Sequence, residues 1–196
     1  MLKRIDWYET YVDRMNDHYY KHIKTRYKPF IDILASLCVA EDQWYIELGC
    51  GASNITRALI ERKTLRDAFE LKKFLVIDSC DKMLDLSRHN LRQHMVHYKL
   101  MDVFENLPTA DQPVVGIEIT YSHGLLEHYG DKEIQLLIQR YKIASKYQVH
   151  YVPGEKYGEP SFGDERLLSV DAWNKICKPT EIVTFNNGYD YALIWR

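Results

Sequence analysis

Three carboxylates each close an apolar run: Glu47 in "WYIELGCGASNIT", Asp78 in "FLVIDSCDKML" and Asp102 in "VHYKLMDVFENLP". Gly49 and Gly51 follow Glu47 closely, thinning the backbone so that a ligand could lie against it. A carboxylate before such a turn is a poor companion for a diphosphate, and it suits a ligand that brings an amine or a positive charge. A dinucleotide fingerprint, G-x-G-x-x-G, would need a third glycine where Asn54 stands. Asp78 is placed to accept both hydroxyls of a ribose. It comes later after Gly49 than the spacing of about 20 residues usual in dinucleotide folds. Asp102 and Val103 offer an acceptor for an exocyclic amine and an apolar surface for a base. Each acid also has a plainer reading, Asp78 as a helix cap and Asp102 as a turn residue.

A fourth stretch, "ITYSHGLLEHYG", gathers groups able to move protons: His123, Glu127 and His128. A Glu-His pair at a helix start also caps and packs, so the structural reading stands beside the catalytic one. No metal is expected. Cys38, Cys50, Cys80 and Cys177 show no zinc spacing, and no acidic cluster points to a magnesium-assisted site.

These residues need a scaffold, and the hydrophobic pattern supplies one. Strand-like runs "WYIEL", "FLVID", "VHYKLMD", "VVGIEIT" and "YQVHYV" alternate with helical stretches, as a parallel sheet covered on both faces requires. The helices are expected from Pro29, over "NITRALIERKTLRDAF", from a cap at Asp81 to about Met95, and from Asp131 to Lys146. The alternation then stops. "TEIVTF" and "YDYALIW" flank "NNG", residue types that tolerate positive φ, so the chain should end in an antiparallel hairpin. At the other end, Tyr8, Val12, Met15, Tyr19 and Ile23 fall at helical spacing. Trp7, Tyr11, His18 and His22 form a neighbouring aromatic-polar stripe. The first stripe is expected to pack and the second to meet a substrate.

Composition sets the class. The 196 residues suit one domain with a sizeable core, and 46% hydrophobic with 28% charged is ordinary for a soluble protein. A net charge of −2 gives no broad footprint for nucleic acid. With no apolar leader and no run long enough to span a bilayer, a cytoplasmic protein without membrane contact is expected.

The four quoted stretches, in this order and at these strand ends, resemble class I S-adenosylmethionine-dependent methyltransferases of the small single-domain type. The resemblance runs from about Trp44 to the C-terminus and includes "FGDERLLSVDAWNKI". It implies an α/β three-layer sandwich on a mostly parallel seven-stranded sheet with the last strand antiparallel, plus N-terminal helices. The cofactor it implies is S-adenosyl-L-methionine, with S-adenosyl-L-homocysteine as product. Glu47, Gly49, Cys50 and Gly51 would flank the methionine portion. Asp78, with Ser79 and Met83 after it, would hold the ribose, and Asp102 with Val103 the adenine. Ser122 and His123 would border the sulfonium. Ser53 departs from the pattern, standing where a third motif glycine is common.

The same resemblance bears on the acceptor. The chain lacks the Asp/Asn-Pro-Pro-aromatic turn of amino-methylating nucleic-acid enzymes and the Pro-Cys pair of cytosine C5 enzymes. Methyl transfer to an O or N atom of a small molecule is therefore expected, with residues 1–40 as a helical lid and 41–196 as the core. Two alternatives stay open: a cofactor-binding partner subunit without catalysis, and a nicotinamide-dependent oxidoreductase.

Overall fold

The computed structural model describes residues 6–12, 17–38, 40–62, 72–105, 116–161 and 164–196. Seven strands form one sheet: β1 (Trp44–Leu48), β2 (Lys73–Asp78), β3 (Val96–Leu100), β4 (Ile117–His123), β5 (Ser145–Pro153), β6 (Glu181–Phe185) and β7 (Asp190–Trp195). Their order is β3-β2-β1-β4-β5-β7-β6. The pairs from β3 to β5 are parallel, and β7 runs antiparallel to both of its neighbours. The expected terminal hairpin is present. Asn186, Asn187 and Gly188 all take positive φ (49°, 59° and 81°), which reverses the chain between β6 and β7.

Alternation along the strands builds the two cores. Tyr45, Phe74, Val76 and Tyr121 point to one face, while Ile46, Leu48, Leu75 and Ile77 point to the other. The first face is covered by α2 (Asp17–Arg26), α3 (Lys28–Leu37), α4 (Asn54–Ile60) and α5 (Asp81–Asn90). The second is covered by α6 (Asp131–Ala144), which brings Ile134, Leu137 and Tyr141, and by α7 (Val170–Cys177), which brings Trp173. Each fully buried Leu, Ile or Phe in these layers contributes about 1.5–3 kcal/mol. A short helix, α1 (Trp7–Tyr11), opens the described chain, with Asp6 Oδ1 accepting the Glu9 N–H at 3.2 Å as its cap.

Several boundaries differ from the sequence expectation. The helix after β2 ends at Asn90, not Met95, and Cys80 is its N-cap, so Asp81 is the first helical residue and caps nothing. Strand β4 extends to His123, three residues past Thr120, because its parallel pairing with β5 continues to Tyr151. The single N-terminal helix is described as two pieces, α1 and α2, with Met15 outside the described residues. The far part of "NITRALIERKTLRDAF" also lies outside them. Helix α3 belongs to the covering layer, since Phe30, Ile31 and Leu34 are buried in the core. Helix α2 shares that core through Tyr20 and Ile23. No described helix is long and apolar enough to cross a membrane.

Candidate active site

In this strand order the chain leaves β1 in one direction and resumes at β4 in the other, and such a reversal opens a crevice beyond the carboxyl ends of the strands. Glu47 sits there, only 2% exposed. Its Oε2 accepts the Thr56 hydroxyl at 2.5 Å, and Thr56 Oγ1 lies 2.6 Å from the Tyr121 hydroxyl. Burial pushes the Glu47 carboxyl up to about 8, with the negative charge of Asp78 adding to the shift and the Thr56 hydrogen bonds opposing it. Near pH 7 a buried acid in this state is mostly neutral, and a cation placed beside it would favour its charged form.

The turn after Glu47 explains its glycines. Gly49 and Gly51 adopt φ of 57° and 52°, in the left-handed region. A Cβ on Gly49 would stand 2.6 Å from Leu125 Cδ1, and one on Gly51 would stand 3.2 Å from Met83 Cε. Ser53 also has a left-handed φ of 55°, so the departure from glycine occurs where glycine would be strain-free. The serine is fully buried, and its Oγ lies 2.6 Å from Ser87 Oγ on α5, a contact that glycine lacks.

Asp78 closes the turn from the neighbouring strand. Its Oδ2 accepts the Gly51 N–H at 2.8 Å, and its Oδ1 accepts the Cys80 N–H at 2.9 Å. Burial raises its carboxyl above the ordinary range, and the backbone N–H groups of Cys80, Gly51 and Ser79 oppose the shift. Two backbone bonds leave the carboxylate with capacity for further donors. At the end of β3, Asp102 Oδ1 accepts the Phe104 N–H at 2.9 Å, and Val103 is buried beside it.

All three acids line one cavity of about 640 Å³. Gly49, Cys50, Gly51, Ser79, Met83 and Val103 share that wall, so most of the expected cofactor residues are brought together. Ser122 is not. It points away from His123 on the same strand and is buried, with its Oγ 2.8 Å from His150 Nδ1. Alternation along β4 allows only one of the two to face the cavity, and it is His123. The His123 ring is stacked on Tyr151 at 4.4 Å and met edge-on by Tyr27 at 4.2 Å. Burial lowers its basicity to about 4, which leaves the imidazole neutral, and its Nε2 has no hydrogen-bond partner.

The other proton-handling candidates divide. His128 lines the cavity, with its Nδ1 2.6 Å from Asp164 Oδ1 and its ring 4.7 Å from that of Trp7. Glu127 is buried behind the cavity wall. Burial, with Glu165 and Asp164 nearby, pushes its carboxyl up to about 8, and its Oε2 has no partner.

The two N-terminal stripes are only partly separated in their roles. Trp7 lines the cavity, but His18 and His22 are exposed away from it, and the Tyr11 side chain lies outside the described residues. Tyr19 and Ile23 pack as their spacing indicated, Ile23 in the core and Tyr19 against it, and both also reach the cavity. The orientation of α2 is set by Tyr20, whose hydroxyl donates to Glu61 at 2.6 Å while the Arg57 guanidinium lies 3.9 Å above its ring. Leu125, Tyr129, Glu133 and Asp164 also line the cavity without having been singled out in the sequence. The "GDER" stretch was the available signal for Asp164.

No family model and no curated protein matches the sequence. Solved structures do match. The PH0226 protein of Pyrococcus horikoshii is 11% identical over 99% of both chains, with a TM-score of 0.72. An S-adenosylmethionine-dependent methyltransferase from Clostridium acetobutylicum is also 11% identical, over 86% of this chain and 90% of its own, with a TM-score of 0.66. An O-methyltransferase family protein from Burkholderia thailandensis is 12% identical over 91% of this chain but only 58% of its own length, with a TM-score of 0.63. The sheet order, the antiparallel β7 and these matches agree: the chain has the fold of class I S-adenosylmethionine-dependent methyltransferases.

Proposed function

We propose that the protein is an S-adenosylmethionine-dependent methyltransferase that transfers a methyl group to an O or N atom of a small molecule. The observation that carries this reading is the convergence of Glu47, Asp78 and Asp102, from the ends of three adjacent parallel strands, on one cavity. The residues fit the cofactor. Glu47 is a buried acid whose charged form a cation would favour, Gly51 keeps the backbone bare where the turn lines the cavity, and no Lys or Arg lies among the described residues lining the cavity. When bound, the cofactor supplies a methyl group already activated on a sulfonium.

The protein's part is binding, alignment and exclusion of water. Glu47 neutralises the amino end, Asp78 receives the ribose hydroxyls, and Asp102 with Val103 holds the base. His123, kept neutral, brings no positive charge towards a cationic ligand. The acceptor is met by His128, whose ring is fixed by Asp164 and Trp7. Trp7 on α1 with Tyr19 and Ile23 on α2 forms the cover. Four free cysteines support a reducing, cytoplasmic setting.

Calorimetric titration with S-adenosylmethionine, S-adenosylhomocysteine and NAD tests the reading. One-to-one binding of the first two and none of NAD is expected, followed by label transfer from methyl-labelled cofactor into a metabolite pool. Binding of NAD alone would overturn it.

A further inference from the structure

The turn at Leu126–His128 is stitched to the segment that begins at Asp164. The Arg166 N–H donates to the Glu127 carbonyl at 3.0 Å, and the Arg166 guanidinium donates to the Tyr129 carbonyl at 2.8 Å and to Asp131 Oδ1 at 2.5 Å. This docking gathers side chains distant in sequence. One ligand atom from each of Glu127, His128 and Glu165 falls within 4.8 Å of the others.

Two observations make this more than an acidic cluster. Glu127 is only 2% exposed, and its Oε2 is buried without any hydrogen-bond partner, although buried carboxylate oxygens are ordinarily satisfied. The positive charge of Arg166 is directed at Asp131, not at Glu127. In addition, His128 gives its Nδ1 side to Asp164 at 2.6 Å. A carboxylate on one ring nitrogen is the usual support for an imidazole whose other nitrogen binds a metal, because it fixes the tautomer and the ring orientation.

We propose that Glu127, His128 and Glu165 form a divalent-cation site, with Asp164 as the positioning residue for His128. One imidazole and two carboxylates suit zinc or manganese, whereas magnesium and calcium favour all-oxygen sites. Three protein ligands leave coordination positions open, and His128 lines the cavity, so an acceptor oxygen would reach the ion from there. Such an oxygen would release its proton to water more readily and then take the methyl group, while the bond electrons leave with the sulfide. That role rests on the methyltransferase reading, but cation binding does not.

The test uses the full chain, stripped with chelator and dialysed, and titrated with Zn²⁺ and Mn²⁺ by calorimetry without cofactor. One ion per chain is expected, in the micromolar range or tighter, with a rise in the thermal midpoint. Glu127→Gln and Glu165→Gln should each weaken binding at least tenfold, and Asp164→Asn by about 10–100-fold. Surface histidines such as His18 and His22 would bind ions that these variants leave untouched. No uptake at millimolar ion, or uptake that Glu127→Gln and Glu165→Gln both leave within twofold, overturns the site. Titration of the same stripped protein with S-adenosylhomocysteine separates the two readings. If it binds while the ions do not, only the cation site falls. If the ions bind and it does not, only the methyltransferase reading falls.

Discussion

Asp78 holds the backbone of Gly51: its Oδ2 accepts the glycine N–H at 2.8 Å, tying the end of β2 to the turn that leaves β1. A residue read as a ligand for ribose is thus also a fastening for the loop beneath the ligand, and the two duties predict different measurements.

Asp78→Ala should lose at least tenfold in affinity for S-adenosylhomocysteine, since each charge-assisted hydrogen bond contributes about 1.5–3 kcal/mol. It should also unfold more easily, by about 1–3 kcal/mol, because the Gly51 and Cys80 N–H groups lose their acceptor. Calorimetry and denaturant melts read the two effects separately. Unchanged affinity in a folded variant would sink the ribose assignment.

Glu47 gives the pH dependence. Its folded-state pKa of about 8 lies above the ordinary 4.5, so in the free protein it disfavours ionisation and costs stability as pH rises from 4.5 to 8. Near the middle of that window the slope approaches about 1.4 kcal/mol per pH unit, and it falls away as the folded-state group itself ionises towards pH 8. Glu47→Gln does not titrate, so its melting temperature relative to wild type should climb over the same interval. Binding runs the other way. An ammonium-bearing ligand needs the carboxylate ionised and releases its proton, so affinity should increase as pH rises towards 8 and flatten beyond. Calorimetry in buffers of different ionisation enthalpy counts the proton. Thr56, Tyr121, Cys50 and Asp78 are the groups that interact with Glu47 among the described residues, and none supplies a competing positive charge.

The glycine turn separates stability from binding. Gly49→Val should destabilise the fold, since a β-branched residue is strained at a φ of 57° and its side chain would also displace Leu125. Gly51→Ala faces only the flexible end of Met83 and a left-handed strain of about 1–2 kcal/mol, so it should fold and bind poorly. A Gly51→Ala variant with wild-type affinity shows the turn to be scaffolding alone.

The cover is tested residue by residue. Trp7→Ala and Tyr19→Ala should raise KM for the acceptor and lower kcat/KM about tenfold or more, a loss of about 1.4 kcal/mol each. His18→Ala and His22→Ala should leave both parameters within twofold. The reverse pattern would restore the assignment made from spacing alone.

The legible parts of this molecule were those in which one short segment carries its own reason. β1 is apolar, ends in an acid and turns on glycine, so its buried run, its carboxylate and its positive φ values were all present in thirteen letters. The hairpin at Asn186–Gly188 was legible for the same reason. What escaped depends on long-range packing. The two stripes of the N-terminal helix differ by a modest rotation, and Tyr20 fixes that rotation through Glu61, 41 residues away. Ser122 and His123 are adjacent in sequence, and only the register of β4 decides which enters the cavity. His128 and Asp164 are 36 residues apart and meet only because the chain folds back through Arg166. Burial changed the meaning of Glu47 and His123 as well, turning an ordinary acid and an ordinary base into groups that stay neutral near pH 7.

The contact between Trp7 and His128 makes the protein its own optical probe. Of its four tryptophans, Trp173 and Trp195 are sealed in the core, and Trp44 lies at the start of β1, edge-on to His97. Trp7 is the one that touches the cavity, with its ring 4.7 Å from an imidazole able to quench it. Whatever parts those rings, a ligand sliding between them or the cover swinging out, will register as a change in emission from a single indole. Opening and closing can therefore be timed by stopped flow in the unmodified chain.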